Sequence, residues 1–438
     1  MSSSSKKISL LSAIFINLNV MIGTGIFINT YRFAATSGAA GFFLYPLVGL
    51  CMLPLIAVTG QLLSHYPTGG LYAFAKDYSP YLGFLSCWSY FFGKLASACV
   101  MLTVATTMFQ QIFPALKSTN PILMSLGILS FFTLLNLQNM RVGLIVQTFF
   151  LTSKSIPILF TIVAGILLFD TSAITTDAFI WQGLALNIPF VLYCLAGFET
   201  ASSLSRNIEN PTVNGPKAVY YSFGIIMALY GIFQGFIYMC TYDVFTTITS
   251  FDGVFPTICH KIFSSELIAN KVSILLSFAI GSSALGGAYG ILFANSWNLY
   301  TIAEHGHTIA KSTITKLNKH QTPWVAVLTE SLTCTMFLLF NQGSIVPLQR
   351  TATLGIVIAY TISTFAYFKL LGRKQKSFTQ RFITYAAFIT CLLFVSTCAT
   401  SFLETGIAPL MLFITILVIG SGMYLYTNQE KIGSSIFK

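Results

Sequence analysis

Charge is what this sequence has least of. Only 8% of its 438 residues are Asp, Glu, Lys or Arg, where soluble domains run at about 25%. So few charges cannot coat a water-soluble globule. With 55% hydrophobic residues and a mean hydropathy of +0.77, the bilayer must be the solvent for most of the surface. Acidic residues are the scarcer sign, 12 against 23 basic ones, and the formal net charge is +11. In a soluble protein that balance suggests nucleic acid. Here the basic residues lie in short loops beside apolar runs, the pattern of cytoplasmic loops, and no nucleic-acid partner is expected. Other absences narrow the field further. There is no CxxC pair, and most of the nine Cys, such as Cys51, Cys87, Cys99, Cys194 and Cys391, sit inside apolar runs. They read as small buried residues, neither a disulfide framework nor a metal site. Without a GxxxxGK[ST] loop, ATP hydrolysis by this chain is not expected, and there is no HExxH. Glu304, His305 and His307 cluster in a basic loop and read as solvated loop residues rather than metal ligands. No cofactor and no metal are expected.

What the sequence has is long apolar runs. A membrane helix needs roughly 20 mostly apolar residues. Twelve such spans are predicted, at 8–30, 38–63, 80–113, 121–139, 142–169, 182–205, 218–240, 271–300, 323–340, 351–370, 382–402 and 406–426. The third and eighth are long enough to tilt or project. Lys6 and Lys7 before the first run imitate a signal peptide, but no small-x-small cleavage site ends it, so it reads as a retained first helix. An even span count puts both termini on one side. With that side inside, sixteen Lys and Arg fall in cytoplasmic segments. Five fall opposite (Arg32, Lys117, Lys261, Lys271 and Arg350), and Lys94 and Lys154 lie within spans. This bias predicts an integral protein of the cytoplasmic (inner) cell membrane with both termini cytoplasmic.

Two spans carry matching interruptions, Ile22-Gly23-Thr24-Gly25-Ile26-Phe27 in the first and Tyr193-Cys194-Leu195-Ala196-Gly197-Phe198-Glu199 in the sixth. Five helices separate them, as a five-plus-five internal repeat requires. Such glycines can be close-packing points between helices. Paired breaks at corresponding positions point instead to a transporter binding site. A break exposes backbone groups that lipid cannot satisfy, while a solute's carboxylate and ammonium can.

Four stretches then resemble the amino acid–polyamine–organocation transporter family, which shares the leucine-transporter fold. They are MIGTGIF, YPTGGLYAFAKDY (66–78), AGFETASSLSRNIENP with Glu199, Glu209, Asn210 and Pro211, and LYTIAEHGHTIAKSTITKLNKHQTPW ending in Thr322-Pro323-Trp324. The resemblance implies an all-α polytopic membrane protein of 12 transmembrane helices with broken helices 1 and 6. It further implies an inverted repeat of helices 1–5 (residues 1–170) and 6–10 (171–371), with helices 11–12 and the tail at 372–438. Asn298 stands where the family often has Arg, which puts an inner-gate salt bridge in doubt. By spacing, the family's gating aromatic maps to Tyr193.

A charge inside the bilayer costs at least roughly 2.5–3.5 kcal/mol on insertion scales, so four ionisable residues need a partner or a purpose. By its place in the fifth span, Lys154 resembles the family lysine whose ammonium stands where sodium sits in sodium-coupled relatives, which implies proton coupling; the plainer roles are snorkelling or a static bond to the first break. Glu199 either relays a proton or ties the unwound segment. Lys94 pairs with Glu199 or an acidic substrate, or snorkels, and beside the site it would disfavour a cationic substrate. Glu330, in a span that is peripheral in the family, reads as structural. Asn17, Asn19, Ser282 and Ser283 read as interhelical hydrogen-bonding residues.

The reading that unites these features is a secondary transporter of an amino-acid-like solute, by proton symport or exchange. Gly23, Thr24 and Gly25 are expected to hold the carboxylate, and carbonyls near Ile22, Tyr193 and Ala196 the amine, with Gly197 opening the second break. Tyr193 is expected to close from outside. A membrane-embedded enzyme needs an acid–base pair or nucleophile at depth that the scarce ionisable residues do not assemble. A channel needs polar rings or a filter repeat, and neither is present.

Overall fold

The computed structural model describes residues 7–68, 70–138, 140–244, 247–248, 250–372 and 377–436. Of the residues used to orient the chain, Lys6, Arg373, Lys374, Lys376 and Lys438 lie outside them, as does Gly69 of the second matching stretch. Among the described residues every extended element is helical, and strand pairing is limited to two isolated bridges, Ile8–Ile208 and Gly38–Phe179.

The first predicted span divides into α1 (Leu10–Met21), α2 (Gly25–Ile28) and α3 (Thr30–Ser37). It is followed by α4 (Gly41–His65), α5 (Gly70–Lys76), α6 (Pro80–Ile112), α7 (Pro121–Asn136) and α8 (Met140–Leu167). The sixth span divides into α9 (Gly183–Leu195) and α10 (Thr200–Ser203). Then come α11 (Pro211–Thr241), α12 (Val254–Ile262), α13 (Glu266–Glu304), α14 (Lys311–Ile314), α15 (Trp324–Phe340), α16 (Ile345–Gly372), α17 (Phe378–Thr405) and α18 (Ala408–Ile436). Local chemistry sets several starts. Ser79 and Asn120 each cap a helix whose first residue is proline, where the missing N–H costs nothing. Pro46, Pro54, Pro157, Pro189 and Pro216 lie inside helices, which membrane helices tolerate because neighbours re-satisfy the freed carbonyls.

Among the described residues, nine helical stretches are long and apolar enough to cross a membrane, and α7, α9 and α15 are shorter apolar helices of 10–17 residues. Each of the twelve predicted spans thus falls on an apolar helix, three of them shorter than a full crossing. The two spans expected to be long are the longest helices, α13 with 39 residues and α6 with 33. These two form the centre: 89% of the apolar window of α6 is buried against 17% for α18. At the periphery large apolar side chains such as Leu123, Phe131, Phe149 and Leu403 face outward. So broad an apolar exterior suits hydrocarbon rather than water, and the chain is a polytopic α-helical membrane protein.

One reading is corrected here. His307 is not a solvated loop residue, and His305 is partly covered. His307 is buried, its Nε2 2.8 Å from the Tyr72 hydroxyl, and Tyr424 and Phe84 pack on its ring. His305 lies against the same tyrosine. The aromatic residues that cover them come from α5, α6 and α18, elements whose proximity the local sequence does not reveal.

Candidate functional site

The site begins with what the breaks do to the backbone. In an unbroken helix the Gly23 N–H would donate to the Asn19 carbonyl. It donates instead to Met21 at 2.7 Å. The released Asn19 carbonyl accepts the Lys154 ammonium of α8 at 2.7 Å. The Met21 carbonyl also accepts from Tyr230 at 2.6 Å, and the Ile22 carbonyl from Ser283 at 3.2 Å. Side chains of α8, α11 and α13 therefore do for this helix end what water does for a soluble one. Lys154 is wholly buried.

The second break opens at Ala196, whose backbone is extended, and turns at Gly197 with φ of +120°. A Cβ at Gly197 would lie 3.0 Å from Val20 and 3.1 Å from Met21. Both the backbone angle and the closeness of α1 require glycine. Asn17 laces the two breaks together, accepting the Ala201 N–H at 2.8 Å while donating to Ser222 at 3.2 Å. Asn19 similarly donates to Gln147 and to the Gly286 carbonyl. Asn17, Asn19 and Ser283 thus make the interhelical hydrogen bonds their sequence positions suggested.

Glu199 closes the second break and is fully buried. Its Oε1 accepts from Tyr90 at 2.6 Å and from Lys94 at 3.0 Å. Its Oε2 accepts from Tyr360 at 2.5 Å and from the Gly197 N–H at 3.0 Å. Four donors from α6, α16 and the break itself surround one carboxylate, an arrangement that compensates a buried charge. Lys94 is the partner of Glu199, as one of its sequence readings held, and it is equally buried.

Between the breaks lies a cavity lined by Gly23 and Gly25, by Tyr193 and Ala196, by Lys94, Ser97 and Met101 on α6, and by Ile356 on α16. It is tight: about 10 Å³ is open to the centre of a water-sized sphere, roughly one water molecule. Ser97 donates to the Tyr193 hydroxyl at 3.3 Å, so the tyrosine spans the gap from α9 to α6. Ile22, Thr24 and Gly197 are buried in the breaks without lining the gap. The Thr24 hydroxyl lies beside Tyr193 but has no hydrogen-bond partner of good geometry among the described residues. Sequence reading missed Ser97, Met101 and Ile356. The first two follow Lys94 at positions that share its helix face, a signal that was legible; Ile356 carries none.

Both ends of the paired breaks are tied shut. Ahead of α1, the Ile8 N–H donates to the Asn207 carbonyl at 2.8 Å and Glu209 donates back to Ile8 at 2.9 Å. Nearby, Arg206 pairs with Glu304 at 3.0 Å. Beyond α3, Ala39 donates to Ala178 and Ile180 to Ser37, while Arg32 donates to Asn187 at 3.2 Å and lies over the Phe190 ring. At each end, therefore, the chain of the first span is fastened to the chain of the sixth.

Two broken apolar helices thus bring their breaks together around a small cavity whose lining is mostly apolar, with Lys94, Ser97 and Tyr193 as its polar side chains. The comparisons give the family. The family model described as amino acid permease matches residues 8–424, and the chain belongs to that family, one of transporters rather than enzymes. It is 26% identical to the amino-acid permease AapA of Bacillus subtilis over 71% of this chain and 68% of that one. It is 21% identical to the aromatic amino acid transport protein AroP of Salmonella typhimurium over 96% and 94%. With the D-serine/D-alanine/glycine transporter of Escherichia coli K12 it shares 22% identity over 81% and 78%.

Proposed function

We propose that this protein carries a zwitterionic amino acid across the cytoplasmic membrane by alternating access, coupled to proton movement. The observation that carries the reading is a cavity between two chain breaks that are fastened to each other at both ends. Opening one fastening at a time exposes the same cavity to one side and then the other. In this reading the twelve apolar helices all span and both termini are cytoplasmic. Residues 1–170 and 171–371 form the two inverted repeats, with 372–438 outside them.

The substrate carboxylate meets the N–H groups of Thr24 and Gly25, which open α2 and have no acceptor within that helix, together with the Thr24 hydroxyl. Its amine meets carbonyls at the breaks, around Ile22, Tyr193 and Ala196, with Gly197 providing the turn. Tyr193 closes over it. Lys154 replaces a coupling cation by placing its ammonium on the Asn19 carbonyl. Lys94 turns a positive charge toward the cavity, which disfavours a cationic side chain. Relatives named for aromatic and for small amino acids bracket the choices, and the tightness set by Met101 and Tyr193 favours the small ones.

Counterflow of radiolabelled amino acids in liposomes tests this reading. Exchange of small neutral amino acids, with little for lysine or arginine, is the expected result; no exchange of any amino acid by folded protein would sink it. Thr24→Ala is expected to raise the half-saturating concentration at least about tenfold, one hydrogen bond to a charged group being worth about 1.5–3 kcal/mol, with the unfolding temperature unchanged.

A further inference from the structure

Glu330 on α15 is a carboxyl that the transport reading leaves without work. Its side chain is 1% exposed, and neither oxygen has a hydrogen-bond partner of good geometry among the described residues. The contrast with Glu199, surrounded by four donors, is sharp. An unpaired carboxylate at depth in a membrane protein is costly, and binding a proton removes the cost.

The surroundings connect this carboxyl to the cavity. Asn295 of α13 stands beside it, but the amide of Asn295 donates to the Phe91 carbonyl of α6 at 3.1 Å. Asn298 in turn donates to Asn295 at 2.9 Å. One turn further along α15, the Cys334 carbonyl accepts from Cys99 of α6 at 3.5 Å and the Cys334 thiol approaches the Leu95 carbonyl. The turn of α6 from Phe91 to Leu95 that α15 and Asn295 grip is the turn that carries Lys94. A charge appearing at Glu330 therefore acts, in a medium of low dielectric, on the segment that holds the Lys94–Glu199 pair.

The titratable neighbours are few. On its own helix there is Cys334 and on α6 Cys99. From α13 the neutral Asn295 stands beside it. On α7, Thr133 meets the next residue, Ser331. The cation of α14, Lys311, is exposed.

We propose that Glu330 binds the coupling proton. The proposal rests on the proton-coupled transport reading and names the residue behind it. In one state of the cycle the carboxylate takes a proton from an aqueous phase and is buried as the neutral acid; in the other it returns the proton. Glu199, with both oxygens filled by donors, keeps its structural place.

The test is carbodiimide labelling of purified wild-type protein in liposomes, read by peptide mass spectrometry, since dicyclohexylcarbodiimide adds to protonated carboxyls in apolar surroundings. Labelling at Glu330 and not at Glu199, several-fold faster at pH 6 than at pH 8, is the expected result. In parallel, proton-driven accumulation is compared at pH 6 and pH 8 for wild type and Glu330→Gln. The wild-type ratio is expected to exceed about threefold and the variant ratio to fall to near one. Absence of labelling at Glu330, or a variant ratio equal to that of wild type, overturns the proposal. Should Glu330→Gln fail to fold, the labelling decides alone. Wild-type counterflow without Glu330 labelling sinks this assignment and leaves the transport reading standing; absence of counterflow for every amino acid sinks the transport reading itself.

Discussion

Lys94→Leu is expected to destabilise the folded protein by about 3 kcal/mol and to reduce amino acid exchange at least tenfold. Removing one partner of a buried ion pair leaves the other charge uncompensated, at a cost of about 3–5 kcal/mol. The lower end applies because Tyr90, Tyr360 and the Gly197 N–H still donate to Glu199. No other ion pair to Glu199 is found among the described residues, so leucine, which ends two atoms short of the lysine ammonium, keeps part of the apolar stem without replacing the charge. The double variant Lys94→Leu/Glu199→Gln removes both charges and keeps an acceptor for one tyrosine. Its stability is expected to return to within about 1 kcal/mol of wild type, the usual outcome when a buried pair is neutralised as a unit. Thermal unfolding in detergent of wild type, Lys94→Leu, Glu199→Gln and the double variant gives the cycle. If the single and double variants were equally unstable, the ion pair would not be what holds α6 to the second break.

Gly25→Leu is expected to abolish measurable exchange while leaving the protein folded. A Cβ at Gly25 would stand 2.7 Å from the Cys194 sulfur and 3.1 Å from the Tyr193 ring. The further branches of leucine must then occupy the cavity or push aside the ring that closes it. Overpacking of this kind costs about 1–3 kcal/mol, and here it falls on the residues that the solute must fit between. Gly127→Leu is the matched control. Nothing lies within 4 Å of a Cβ there, on the outer helix α7, and exchange within about twofold of wild type is expected. Liposome counterflow measures both. Wild-type exchange by Gly25→Leu would show that the first break does not face the solute.

Much of this is legible in the sequence. The twelve apolar runs fall on helices because lipid leaves backbone no alternative to internal hydrogen bonding. The positions of both breaks, at Gly23–Thr24 and at Ala196–Glu199, were marked by glycine within an apolar run. Lys94, Lys154, Glu199 and Glu330 stood out because charge at depth demands an explanation. None of these inferences needs a distance.

The partners of those residues were legible only as alternatives: Glu199 was one of several readings for Lys94, and a bond to the first break one of several for Lys154. Lys94 and Glu199 are 105 positions apart, and Lys154 meets a backbone carbonyl, which has no sequence signature. Tyr90 and Tyr360 look like any other aromatic in an apolar helix until four donors converge on one carboxylate. The same holds for His307, whose burial depends on Tyr72 and Tyr424 arriving from distant segments. Nor does sequence tell Glu199 from Glu330, two carboxyls in apolar runs, one held by four donors and one without a hydrogen-bond partner of good geometry among the described residues. Composition and periodicity are local, and they determined that this chain lives in a bilayer, where its helices break and which residues are costly there. Whether each cost is met depends on which helix faces which. Only the tertiary packing of α6, α13, α15 and α16 around the two breaks decided that.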